Sequence, residues 1–285
     1  MMDDDQTYLL LLLSDSNLPT GSFVASSGFE SYIKHGFGGT RDDKSNGTDR
    51  TTTFMSDSIS AYARSALPFV SDAHRVVQGA TIEEDVDDGG DSKSEGYLEG
   101  YLRKIQELDD LYDVMTLNHV TKRASKSQGV ALLTLYSKGF SNPYSATSTS
   151  TMTSLITRYK TLVRAERTPG HLPICWGILT GALGLTLERS LYLHIFLHAR
   201  SLLSASVRLN EIGPYNAQQI LLHVSRGIIK TEVDKCKDLR TGINLSMNLE
   251  SEDPGYLHEG PANTWPLGEI LAARHDLQHS RIFNS

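Results

Sequence analysis

Two histidine pairs carry the spacing that metal chemistry uses. His275 and His279 sit four apart in HDLQH, and His194 and His198 share that interval in LYLHIFLH. On a helix this interval puts both imidazoles on one face, as a two-histidine zinc site requires. HDLQH departs from HExxH, because Asp276 is one methylene shorter than the glutamate that acts as general base, and a third ligand is not evident. Packing or capping histidines account for both pairs, so no metal ligand is assigned. Ser31 to Lys34 reads SYIK, the spacing of an acyl-transfer serine and its lysine, but the companion SDN and KTG motifs are missing. Gly39 to Ser45, GTRDDKS, resembles the end of a phosphate-binding loop, yet no glycine precedes Lys44 and no strand leads into it. Cys175 lies in an apolar stretch and reads as a small buried hydrophobe rather than a nucleophile. No pair of carboxylates stands out as general acid and base. No catalytic, cofactor-binding or metal residue is therefore assigned, and the pattern favours an interaction protein over an enzyme.

Arg281, Ile282 and Phe283, in the closing RIFNS, are less easily explained by packing. A polar tail can fray in solution. It can also order on a partner, burying Ile282 and Phe283 while Arg281 makes directed hydrogen bonds, since arginine and aromatic side chains are enriched at binding hot spots. The residues leave both readings open.

The elements that must position these groups read as helices. Apolar residues recur three and four apart over Phe54–Gln78, Leu98–Leu117 and Val120–Phe140, and shorter helical patterns cover Met152–Val163 and Asn216–Val233. His171 to Leu209 is the longest apolar region and reads as two helices, with Pro173 in the first turn of one and Gly184 ending it. Thr186 is placed to cap the second helix, which is apolar on almost every side and is expected at the centre of the core. It is not expected to span a membrane: Ile174 to Leu187 is too short, and Glu188 and Arg189 interrupt it. No β-alternation of useful length occurs. The expected fold is all-α, a single compact helical bundle over residues 1–285 with polar loop insertions at 38–53, 83–96, 141–151 and 240–264.

The net charge of −7 argues against a general affinity for nucleic acid. Two cysteines are too few for a disulfide framework and fit a reducing compartment. The acidic flank of the short apolar run near the N-terminus is unlike a secretory or mitochondrial leader, so a cytoplasmic location is expected.

Four segments in order resemble the urease accessory protein UreF family. They are LPTGSFVASSGFE at Leu18–Glu30; Leu108–Gly129 with Arg123, Ser125, Gln128 and Gly129; His171–Leu209 with Pro173, Gly177, Gly184, Ser204 and Arg208; and RHDLQHSRIFNS at Arg274–Ser285. Asp276 and Ile282 are mild departures, standing where the family has Glu and Leu. The resemblance implies an all-α, non-catalytic homodimer. It would bridge UreD/UreH and the GTPase UreG during nickel insertion into apo-urease. On the same resemblance Arg281, Ile282 and Phe283, with His275 near the junction, are expected to bind UreD/UreH. Pro19, Gly21 and Glu30 are a second candidate, for UreG or for supporting the dimer. Two alternatives remain: a GTPase-activating protein offering Arg123 or Arg208 to UreG, and a weak nickel metallochaperone using either histidine pair.

Overall fold

The computed structural model describes residues 2–20, 22–37, 44–86, 91–140, 151–245 and 259–285. No strand occurs among them, and the all-α expectation holds. The helices are α1 (Met2–Leu13), α2 (Phe29–Lys34), α3 (Lys44–Val86), α4 (Asp91–Met115), α5 (His119–Leu135), α6 (Thr151–Arg164), α7 (Leu172–Ala182), α8 (Leu187–Arg208), α9 (Pro214–Gln219), α10 (Arg226–Cys236) and α11 (Pro266–Ala273). None is long and apolar enough to cross a membrane.

The axis of the core is α3, not the α7–α8 pair. It packs against α4, α6, α7, α8 and α10, and Phe54, Met55, Ile59, Ala63, Leu67, Val70 and Val77 along it are inaccessible or nearly so. Two features hid it in the sequence. Its first turns lie inside the polar stretch expected to be a loop, and Pro68 interrupts its middle. Residues 44–53 are nonetheless helical because tertiary partners outweigh their weak propensity. The Arg50 guanidinium donates to Glu211 at 3.1 and 2.7 Å, and the Thr51 and Ser206 hydroxyls meet at 2.7 Å. Proline removes the N–H that would reach the carbonyl four residues back. That carbonyl belongs to Arg64, and the Ala262 amide approaches it at 3.4 Å instead. The Arg64 side chain also binds Glu259 at 2.8 Å, so the Pro68 break becomes an attachment point for the segment leading to α11.

The other polar stretches are only partly described. Residues 83–86 close α3 and 91–96 open α4, Thr151 opens α6, and residues 87–90, 141–150 and 246–258 lie outside the described set. Residues 240–245 are irregular but anchored: Asp72 accepts from the Thr241 amide and hydroxyl at 2.8 and 2.7 Å.

Gly184, at φ +75°, ends α7 as expected. Thr186 stands at the N-cap of α8 without a side-chain cap bond, and Asn216 lies inside α9, which begins at Pro214. Asn118 is a true cap, accepting from the Val120 and Thr121 amides at 2.9 and 3.3 Å.

Helix α7 lies against α3 closely enough to require glycine. A Cβ at Gly177 would stand 2.6 Å from the Val70 carbonyl oxygen and 2.9 Å from the Ala73 Cβ. Alanine would gain about 1 kcal/mol of helix propensity there, but the backbone cannot yield without separating two buried helices. Gly177→Ala is therefore expected to lose about 1–3 kcal/mol net in urea unfolding. Unchanged stability would mean that the helices can part freely.

Candidate functional site

The candidate site is built on Glu30, in the first turn of α2, where the helix dipole favours an acid. Gly28 precedes α2 at φ +86°, and a Cβ there would stand 3.3 Å from the Ala272 amide nitrogen, so the entry to α2 lies against α11. Glu30 is fully buried, and its charge is met by donors. The Ile282 amide and the Lys34 ammonium donate to Oε1 at 2.8 and 3.0 Å, and the Phe283 amide donates to Oε2 at 3.2 Å. Lys34 also donates to the Ser280 carbonyl.

The tail is thus held by its backbone on the chain's own N-terminal region. The Asn284 amide donates to the Val24 carbonyl at 2.9 Å, and the Ser26 amide donates to the Ser285 carbonyl at 2.6 Å. Phe283 is only 2 % exposed. Its carbonyl lies 3.1 Å from Nε2 of His275. A carbonyl only accepts, so Nε2 carries the proton and Nδ1 holds a lone pair. Burial lowers the pKa of His275, in keeping with a neutral ring.

A cluster of cations on Asp276 closes the outer side. Arg123 grips Asp276 with two bonds of 2.9 Å and reaches the Asn284 carbonyl at 2.9 Å. Arg281 adds a 2.7 Å bond, and His119 lies 3.3 Å away. The Arg123 hydrogen bonds, above all, hold the Asp276 carboxyl well below the usual range. Ile282 is 62 % and Phe23 66 % exposed; Val24, next to Phe23, and Leu277, next to Asp276, are exposed as well.

Of the residues singled out in the sequence, Arg281, Ile282, Phe283, His275 and Glu30 converge here. Pro19 is exposed on the N-terminal loop, and Gly21 lies outside the described residues. Glu30 and His275 are both buried and face the tail rather than solvent. No motif marks Asp276 as a hub; of the basic residues in the two segments, His119, Arg123 and Arg281 reach it, while Arg274 turns to His35.

The other candidates resolve differently. His275 sits in the 3-10 turn Arg274–Leu277, and exposed His279 falls beyond it, so the helical spacing is not realised and the rings do not share a face. His194 and His198 do share a face of α8, but both stack on Tyr62, with centroids 5.4 and 4.3 Å away. The Tyr62 hydroxyl meets Nε2 of His194 at 3.0 Å, and the Ser58 hydroxyl meets Nε2 of His198 at 2.9 Å. They line a cavity of about 340 Å³ that also touches Phe23, Trp176 and Ala272. Among the described residues no three of His, Cys, Asp and Glu converge as a metal set. Ser31 is buried and receives a bond from Gln278, while Lys34 is taken by Glu30. Most of Gly39–Ser45 lies outside the described residues. Neither candidate finger is extended: Arg123 holds Asp276, and Arg208 is stacked on Phe23 and Phe283.

The second motif is architectural. Asp109 of α4 accepts from the Tyr159 and Thr168 hydroxyls and the Gly170 amide at Oδ2, and from the His171 amide at Oδ1, all within 2.9 Å. The Ser125 hydroxyl accepts from the Leu172 amide at 3.0 Å, and Gly129 leaves room for the Gly170 carbonyl. Asp113, Lys122, Lys126 and His171 complete this buried-to-surface cluster.

Comparison with known proteins points the same way as these motifs. The family model UreF matches residues 46–225. Over 98% of its length the chain is 43% identical to Urease accessory protein 6 of Cryptococcus neoformans var. grubii, of which it covers 97%. It is 29% identical to an uncharacterized UreF-like urease accessory protein of Schizosaccharomyces pombe, with both chains covered in full. It is 27% identical to the urease accessory protein UreF of Arthrobacter sp., with 98% of each chain covered. With a family model matched over more than half its length and a relative this similar from end to end, the chain belongs to the UreF family of urease accessory proteins.

Proposed function

We propose that this chain is a non-catalytic scaffold of urease maturation. It bridges UreD/UreH and the GTPase UreG, as a cytoplasmic homodimer, while nickel is inserted into apo-urease. The observation that carries this reading is the joint face of the two chain ends. Exposed Phe23, Val24, Leu277 and Ile282 stand beside a fixed group of charges, the composition of a protein-binding patch. The chain carries a net charge of −7, yet here the basic side chains Lys34, Arg123, Arg274 and Arg281 outnumber the acids Glu30 and Asp276 that three of them pair with. A partner with apolar side chains rimmed by acids fits that pattern, because complementary potentials steer association. UreD/UreH is assigned to the tail. Pro19, Gly21 and the loop around them are assigned to UreG or to the dimer.

Ile282→Asp tests the reading without disturbing the fold, since that side chain is 62 % exposed. On co-expression with UreD/UreH the variant is expected to bind at least about tenfold more weakly, a change of about 1.4 kcal/mol. Its melting temperature should match the parent's. Undiminished binding would sink the assignment of UreD/UreH to the tail.

A further inference from the structure

Phe23 and Phe283 belong to opposite ends of the chain, and one side chain stands between them. Arg208 is the last residue of α8, where the helix dipole favours a cation. Its guanidinium carbon lies 3.9 Å from the centroid of the Phe23 ring and 4.2 Å from that of the Phe283 ring. Nε leans back to the Ser204 carbonyl at 3.4 Å. Nη2 is enclosed and has no hydrogen-bond acceptor. A guanidinium placed for an ion pair would not be left this way; what it meets are two π faces. A planar cation is attracted to both, and each ring helps keep water from the other's contact.

We infer that Arg208 is a positioning residue that couples the N-terminal loop to the C-terminal tail, so that the two segments order together and meet a partner as one surface. Removing either ring frees the guanidinium and exposes the face against which the other ring packs. The meeting with a partner rests on the proposed function; the coupling is a property of the free chain.

Hydrogen exchange on the free full-length protein tests the coupling. Arg208→Lys keeps the charge but loses the planar face. It is expected to accelerate exchange at least tenfold both at the Ser26 amide and at the Ile282, Phe283 and Asn284 amides. Protection in α3 and α7 should stay as in the parent, which shows that the variant folds. Phe23→Ala alters an exposed ring and should accelerate the same tail amides. Because the Asn284 amide also bonds directly to Val24, the decisive measurement is the double variant. If coupling runs through Arg208, Phe23→Ala adds nothing in the Arg208→Lys background. Multiplying effects, or tail amides indifferent to both single variants, would overturn the inference. Binding of Arg208→Lys to UreD/UreH is then measured separately. Coupled exchange with undiminished binding would leave the coupling standing and count against the tail as the binding segment.

Discussion

Asp109→Ala should lower the unfolding free energy by about 3–5 kcal/mol, the largest effect expected of a single substitution here. Asp109 is inaccessible to solvent, as is its partner Tyr159. Its two oxygens serve four donors: the hydroxyls of Tyr159 and Thr168 and the amides of Gly170 and His171. Alanine would strand all four, and each unsatisfied buried group costs about 1–3 kcal/mol before relaxation and water entry reduce the sum. The site cannot collapse easily, because Gly170 holds φ +77° and its carbonyl lies against Gly129. Loss of the clamp would release the turn that starts α7 and, with it, the contact of α7 with α3. Asp109→Asn keeps one acceptor and should cost less than half as much. Urea unfolding of the two variants measures both effects. A cost below about 1 kcal/mol for Asp109→Ala would show that water replaces the carboxylate.

This carboxylate marks the limit of what the residues showed. The helical pattern was legible because apolar side chains at three- and four-residue spacing leave little choice of element. The prominence of α3 was not, because its beginning is polar and its partners there, Glu211, Ser206 and Asn216, lie far along the chain. The tail posed the same difficulty. Arg281, Ile282 and Phe283 stand out by type, but no local rule says that Glu30 accepts the Ile282 and Phe283 amides from about 250 positions away. Phe283, read as either frayed or ordered on a partner, is already buried in the free chain, and Ile282 is the residue left outside. The motif around Asp109 and Arg123 was visible as one block, yet its ends do different work: Asp109 clamps the α7 turn, while Arg123 fixes the tail. The four-residue spacing of His275 and His279 does not put them on one face, because the chain leaves helical geometry between them.

Acid should destabilise the fold between about pH 6.5 and 4, chiefly through His194 and His198. Burial pushes their pKa values down to about 3 and about 4. His194 is enclosed between Tyr62 and Trp176, and what surface His198 keeps borders the cavity. Each folded value lies below the unfolded value of about 6.5, so the unfolded chain binds protons first as pH falls. The stability these neutral rings contribute is complete above about pH 6.5. It declines through the window below and is exhausted once the folded values are passed. At pH 5 each ring should have lost about 2 kcal/mol, or about 4 kcal/mol together. His74, His171 and His275 are also lowered by burial and add in the same direction. Asp72, raised by burial, works with the opposite sign. Asp113 and Asp276 are held down by their cations, so their share is lost only at still lower pH, leaving the upper window to histidine. Urea unfolding at pH 7.5 and pH 5.0 should therefore differ by at least about 4 kcal/mol in the parent, and the His194→Gln/His198→Gln variant should be less pH-dependent by about that amount. An equally steep dependence in the variant would assign the acid sensitivity elsewhere, and the remaining buried histidines at the α7 turn and under the tail would be the next to substitute.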